Sequence, residues 1–103
     1  MYVIRETFTA KPGMASKLAR LLSEVLSDEH KSNTRVLTDF VGPFNTVVME
    51  TEVENLEEHN RRMKEHMERS NIGERMKGYT DLYISGSREI YQVVGQPATM
   101  MRR

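Results

Sequence analysis

Residues 2–10 (YVIRETFTA) put an apolar side chain and a charge on each face of an extended strand. Successive strand residues point to opposite faces, so Tyr2, Ile4, Glu6 and Phe8 share one side and Val3, Arg5, Thr7 and Thr9 the other. A half-buried surface strand has one plainly polar side. This strand has none, and a fold that leaves one of its faces bare therefore has to account for that face. Lys11-Pro12-Gly13 ends the run.

After the break, Met14, Leu18, Leu21, Leu22, Val25 and Leu26 recur at helical spacing, with Lys17, Arg20 and Glu24 off the stripe. The pattern predicts an amphipathic helix over 14–29 with Gly13 as its N-cap, ended by Lys31-Ser32-Asn33. Thr34–Val41 reads as a second strand and Thr46–Val53 as a third, joined by Gly42-Pro43-Phe44-Asn45 as a hairpin. Asn55 stands at an N-cap position with Glu58 three residues on, and the helix it opens runs to about Arg69, with Leu56, His59, Met63, His66 and Met67 on one face. Ile72, Met76, Tyr79, Leu82 and Tyr83 keep the 3.6-residue period, which predicts a further helix to about Ser85, stopped by Gly86. The competing assignment makes Tyr79–Ile84 a strand. Ser87–Val94 is the last strand, and Gly95-Gln96-Pro97 ends it.

The order β-α-β-β-α-α-β is a ferredoxin-like α+β plan with a four-stranded antiparallel sheet. The expected organisation is one domain over residues 1–95 and a tail over 96–103. Helices on one face leave the other bare, with apolar side chains of a kind that monomers rarely expose in a patch. Packing two sheets against each other resolves this, so a homodimer through the sheet face is expected.

Composition narrows the function classes. Lys plus Arg and Asp plus Glu each number 15, which gives none of the basic surplus of a nucleic-acid binder. The absence of cysteine removes disulfides, thiolate metal sites and cysteine nucleophiles. No apolar stretch approaches the roughly 20 residues of a membrane span, and the chain opens directly into strand-like sequence. A soluble, cytoplasmic location without a membrane partner is the expectation.

Three stretches together resemble a known superfamily: Tyr2–Gly13 (YVIRETFTAKPG), the turn Val41–Val48 (VGPFNTVV) and Ser87-Arg88-Glu89-Ile90-Tyr91. They are similar to the dimeric α+β barrel proteins of the NIPSNAP-like and antibiotic-biosynthesis-monooxygenase-like kind. The resemblance runs from Tyr2 to Val94. It implies two facing ferredoxin-like sheets with helices outside, and activities that include cofactor-independent monooxygenation and lactone isomerisation, so no cofactor is expected. Haem-degrading members use an Asn on the first strand together with a Trp and a His. Here Arg5, Glu6 or Thr7 stands where that Asn is sought and the chain has no Trp, which argues against haem degradation.

Among residues able to carry chemistry, His59 and His66 lie seven apart, about 10 Å along a helix, too far to hold one metal ion as a pair. Either is able to transfer protons from a cavity between helix and sheet, or simply sits hydrogen-bonded at the rim of the core. His30 ends the first helix, where a cation suits the dipole. Glu6 and Glu50 share strand faces with apolar residues; each is a candidate base, or a partner of Arg5, Arg35 or Arg88 across strands. Tyr79, Tyr83 and Tyr91 are candidate pocket residues, with Met63, Met67 and Met76 as a soft lining. The site expected is therefore His66 and Glu6 as proton-transfer groups, His59, Met63, Tyr79 and Tyr83 around a small-molecule ligand, and no metal. The alternative is a non-catalytic dimeric binding or interaction module.

Overall fold

The computed structural model describes residues 1–30, 33–69 and 72–95. The elements are β1 (Tyr2–Ala10), α1 (Ala15–His30), β2 (Thr34–Thr38), β3 (Thr46–Val53), α2 (Leu56–Arg69), α3 (Ile72–Arg75), a 3-10 turn (Tyr79–Asp81) and β4 (Tyr83–Gln92). The strands form one antiparallel sheet in the order β2-β3-β1-β4, an α+β ferredoxin-like arrangement as the element order predicts. No helix among the described residues is long and apolar enough to cross a membrane. The tail over 96–103 lies outside the described residues.

β1 holds the centre, pairing β3 on one edge and β4 on the other. Ile4, Phe8 and Ala10 turn towards the helix layer with Val47 of β3. α1 seats Leu18 and Leu22 on them, and Leu82 closes the cluster from the turn before β4. Leu18 and Val47 are fully buried, and removing each from water contributes about 1.5–3 kcal/mol. α2 is seated differently. Its cap is as expected, with Asn55 Oδ1 accepting the Glu58 N–H at 2.9 Å, but Leu56, His59 and Met63 are only half-buried and Met67 is 55% exposed. The second helix stands off the sheet that the first one covers.

Several boundaries differ from the sequence expectation. The helix expected from 72 to 85 stops at Arg75 because Gly78 adopts a left-handed conformation (φ 84°), after which one 3-10 turn leads into β4. Tyr83 pairs with Ala10 and the Leu82 carbonyl accepts the Lys11 N–H at 2.9 Å. Sheet registration thus takes Tyr83 and Ile84 as a strand, and their helical period is coincidental beyond Tyr79. β4 accordingly begins four residues before Ser87, and Gly86 lies inside it, where a Cβ would meet Phe8 Cδ1 at 3.2 Å. β2 ends at Thr38 because Asp39 turns the chain, its Oδ1 accepting the Thr46 N–H at 2.9 Å. Gly13 is a left-handed turn residue (φ 82°) ahead of α1, not its cap.

The helix-free face carries fewer apolar groups than expected. Leu37, Val48, Val3 and Tyr91 surround a charged centre, while Met49 points to the helix side and Phe40 sits almost wholly exposed in the β2–β3 loop. At that centre Glu50, 8% exposed, accepts Arg5 Nε at 2.7 Å and Arg35 Nη2 at 2.8 Å. Burial works to raise its pKa, but the hydrogen bonds and charges of Arg35 and Arg5 outweigh it, and the carboxyl is held below the ordinary 4.5. A depressed carboxylate stabilises the fold above its unfolded pKa, and that contribution disappears as pH falls through the folded value. Thermal melts of the wild type are therefore expected to lose stability from about pH 4.5 downward, and Glu50→Gln to flatten that loss while costing on the order of 1–2 kcal/mol at pH 7. Parallel pH profiles of the two proteins would contradict this assignment.

Candidate functional site

Because α2 stands off, a partly open cleft of about 960 Å³ remains between α2, α3 and the sheet. Its walls are mostly apolar: Phe8, Met49, Met63, Met67 and Met76, with Leu22 and Val25 from α1. Methionine is unbranched and polarizable, so such a wall adapts to irregular apolar shapes. A smaller space of about 270 Å³ continues beneath the first turns of α2, lined by Leu56, His59 and Asn60. Both spaces are bordered by Glu6, Met49, Met63 and Arg88.

Two polar features interrupt the apolar lining. Glu6 and Arg88 face each other across β1 and β4 in register. Arg88 places Nε and Nη2 on the same oxygen, Glu6 Oε2, at 2.7 and 2.6 Å. Oε1 is thereby the carboxylate oxygen with capacity left to accept a proton or hydrogen bond from a ligand. The second feature is an aromatic run. Phe8 and Tyr83 have ring centroids 5.0 Å apart, and Tyr79 and Tyr83 5.7 Å apart, both tilted as aromatic pairs prefer. Burial raises the Tyr79 pKa above 10.0, and the neighbouring Tyr83 and the Glu6 charge push it the same way. The Tyr79 phenol keeps its proton throughout the neutral range.

The structure brings Glu6, Met63, Tyr79 and Tyr83 together around the larger space and places His59 in the smaller one. His66 lies in α2, three residues after Met63; its side chain, like that of His30, is outside the described residues. Tyr91 is on the opposite face of the sheet, its ring 5.2 Å from the Arg5 guanidinium, and does not line this pocket. Arg88 is the residue whose importance the sequence understates: it stands there only as one of three arginines able to pair with Glu6. Phe8 and Gly86 carry no site signal in the sequence alone. Their signal is the pairing of an aromatic with a glycine directly across two strands, readable once the register is known. No group of three or more His, Asp or Glu among the described residues is arranged to hold a metal ion.

No protein-family model and no curated protein matches the sequence. Solved structures match its fold. An Agrobacterium tumefaciens protein superposes with a TM-score of 0.79 at 15% identity, covering 91% of this chain and 94% of that one. A NIPSNAP family protein from the same organism gives 0.76 at 14% identity, with 98% of each chain covered. A Deinococcus radiodurans protein provisionally named an antibiotic biosynthesis monooxygenase gives 0.66 at 16% identity, covering 94% and 96%. The chain has the fold that NIPSNAP-like and antibiotic-biosynthesis-monooxygenase-like proteins share.

The Tyr79 environment is directly measurable. In a spectrophotometric titration at constant ionic strength, one pocket tyrosine is expected to ionise later than a free phenol, above pH 10.0. Tyr91, beside Glu89, is also raised and contributes to the late region. Tyr79→Phe should therefore remove one tyrosine's share of the amplitude above pH 10.0, and a variant curve that retains the full late amplitude contradicts the assignment.

Proposed function

We propose that this chain is one subunit of a homodimeric α+β barrel that binds a small, largely apolar molecule between its helices and sheet. The chemistry we assign to it is cofactor-independent proton transfer of the isomerase or monooxygenase type. The observation that carries the reading is the gap itself. A helix with an apolar stripe ordinarily seats that stripe on its sheet, whereas here it stands off and leaves a partly open cleft on the scale of a ligand pocket.

Within that space Glu6 Oε1 is the base. It takes a proton from an acidic C–H or O–H of the ligand, and the charge that develops is met by the Arg88 guanidinium and by tyrosine O–H groups. Returning the proton to a different carbon completes an isomerisation without any co-reactant. Oxygenation additionally consumes dioxygen: a methylene becomes a carbonyl, one oxygen atom is retained and the other leaves as water. Met63, Tyr79 and Tyr83 orient the ligand, and His59 borders its far end. His66 enters this reading as a second proton-transfer group through its place in α2. The similarity to structures with NIPSNAP and monooxygenase names supports the reading at the level of fold.

The test uses two uncharged aromatic probes. 2-Naphthol fluorescence should report binding, and Glu6→Gln should weaken it roughly tenfold, the loss of one hydrogen bond to a charged group. Met63→Trp, which fills the space, should weaken it further. In D₂O the protein should accelerate deuterium uptake into 2-tetralone, read by mass spectrometry, and Glu6→Gln should abolish the acceleration. Binding without exchange favours a non-catalytic binding module. Absence of binding by any aromatic of this size overturns the pocket.

A further inference from the structure

On the helix side, strand register lays the floor of the cleft in three cross-sheet rows that differ in kind. Val47, Phe8 and Gly86 form one row, Met49, Glu6 and Arg88 the next, and Thr51, Ile4 and Ile90 the third. Successive rows are two residues apart along each strand, so the first and third are separated by about 13 Å. Phe8 and Gly86, with Tyr79 and Tyr83 beside them, line the larger space. The third row lines the smaller one beneath Leu56, and the middle row borders both. A ligand lying along the strands thus passes from an aromatic end, over Glu6, to the space under the first turns of α2.

The third row holds polar groups that the packing of the sheet does not require. Thr51 is 9% exposed, on the strand face that presents Val47 and Met49 in the other two rows. A valine has the same branching and brings no buried hydroxyl to satisfy. Thr51 Oγ1 instead lies 3.2 Å from Thr34 Oγ1, its neighbour across β2 and β3. Only one of the two hydroxyls donates in that contact, so the pair keeps one O–H donor and further acceptor capacity. Both threonines line the smaller space, and Asn60 and His59 border it from α2. The guanidinium on its border, that of Arg88, is already engaged by Glu6. A carboxylate or ammonium entering here would have no counter-ion of its own, and burying an unpaired charge is costly. A hydroxyl or carbonyl would find donors and acceptors in place.

We infer that the smaller space is a second subsite, which binds an uncharged hydroxyl or carbonyl end group through Thr51, Thr34 and Asn60. The inference rests on the pocket of the proposed function and adds the class of its ligand. That ligand is elongated: an aromatic ring at the Phe8–Tyr83–Tyr79 end, a short aliphatic arm over Met49 and Met63, and a neutral hydrogen-bonding group about 13 Å along the strands. The arm crosses the middle row, so the end group fixes which carbon is presented to Glu6 Oε1. Thr51, Thr34 and Asn60 select length and polarity and take no part in proton transfer.

Three naphthalene probes, followed by their own fluorescence, separate the second subsite from the first. 2-Naphthol has no arm, 4-(2-naphthyl)butan-1-ol carries an arm with a hydroxyl end, and 4-(2-naphthyl)butanoate carries the same arm with a charged end. The alcohol should bind the wild type more tightly than either of the others, by roughly tenfold over the butanoate, since its end group is buried without a charge. Thr51→Val and Asn60→Ala should each weaken the alcohol roughly fivefold, the loss of one neutral hydrogen bond, and leave 2-naphthol unchanged. Asn60 is exposed on α2, so its truncation leaves the core untouched, and 2-naphthol binding by both variants reports an intact first subsite. If 2-naphthol binds but the alcohol gains nothing over it, the second subsite is overturned while the pocket stands. The same holds if the alcohol gains an advantage that neither variant reduces. A butanoate that binds as tightly as the alcohol overturns the uncharged end group. If none of the probes binds, the pocket and its second subsite fall together.

Discussion

Hydrogen bonding of β1 along both of its edges is the constraint on which the rest of the structure depends. A central strand of nine residues has to match β3 and β4 simultaneously, and that double register decides every side-chain neighbour on the two faces of the sheet. On the helix side it sets Phe8 against Gly86 and Glu6 against Arg88. On the other side it sets Arg5 between Glu50 and Glu89. A slip of one residue would exchange the faces, bring Arg5 under the helices and turn Ile4 and Phe8 out to water. The buried cluster of Ala10, Val47, Leu18, Leu22 and Leu82 opposes that slip, because its apolar area is lost if the register moves.

The two faces divide the labour of the molecule. α1 provides most of the packing, and this frees α2 from the need to sit tightly on the sheet. The space left under α2 is lined with methionine, whose flexibility suits a wall that is not permanently filled. On the sheet side of that space Glu6 and Arg88 pair across β1 and β4, with Glu6 Oε2 taking both contacts from the guanidinium. On the reverse face Glu50 accepts hydrogen bonds from both Arg5 and Arg35, which ties β3 to its two neighbouring strands through one carboxylate. The composition noted at the outset, with equal numbers of acidic and basic residues, takes on spatial meaning here.

Much of the fold was legible in the sequence. The leucine stripe of α1, the Asn55 cap of α2 and the alternation in β1 each reflect a local period, and local periods survive without tertiary information. The candidate site was legible in part: Glu6, Met63, Tyr79 and Tyr83 converge on one cavity, while Tyr91 lies on the other face. Ile72, Met76, Tyr79 and Leu82 show why the remainder was harder to read. Their helical spacing is genuine as far as the turn, but a left-handed Gly78 and the pairing of Tyr83 with Ala10 override it. The three-residue 3-10 turn and the residue after it place Tyr79 and Leu82 inward as a helix would, so periodicity alone does not separate the two.

The sequence by itself determined the kinds of element, their order, and the fact that both faces of β1 carry apolar and charged groups, because these follow from backbone geometry over a few residues. Only the tertiary structure decided which carboxylate meets which arginine. Glu6 and Arg88 are 82 residues apart and Arg5 and Glu50 are 45 apart. Their pairing follows from strand register, a property of the whole sheet, which no local pattern encodes.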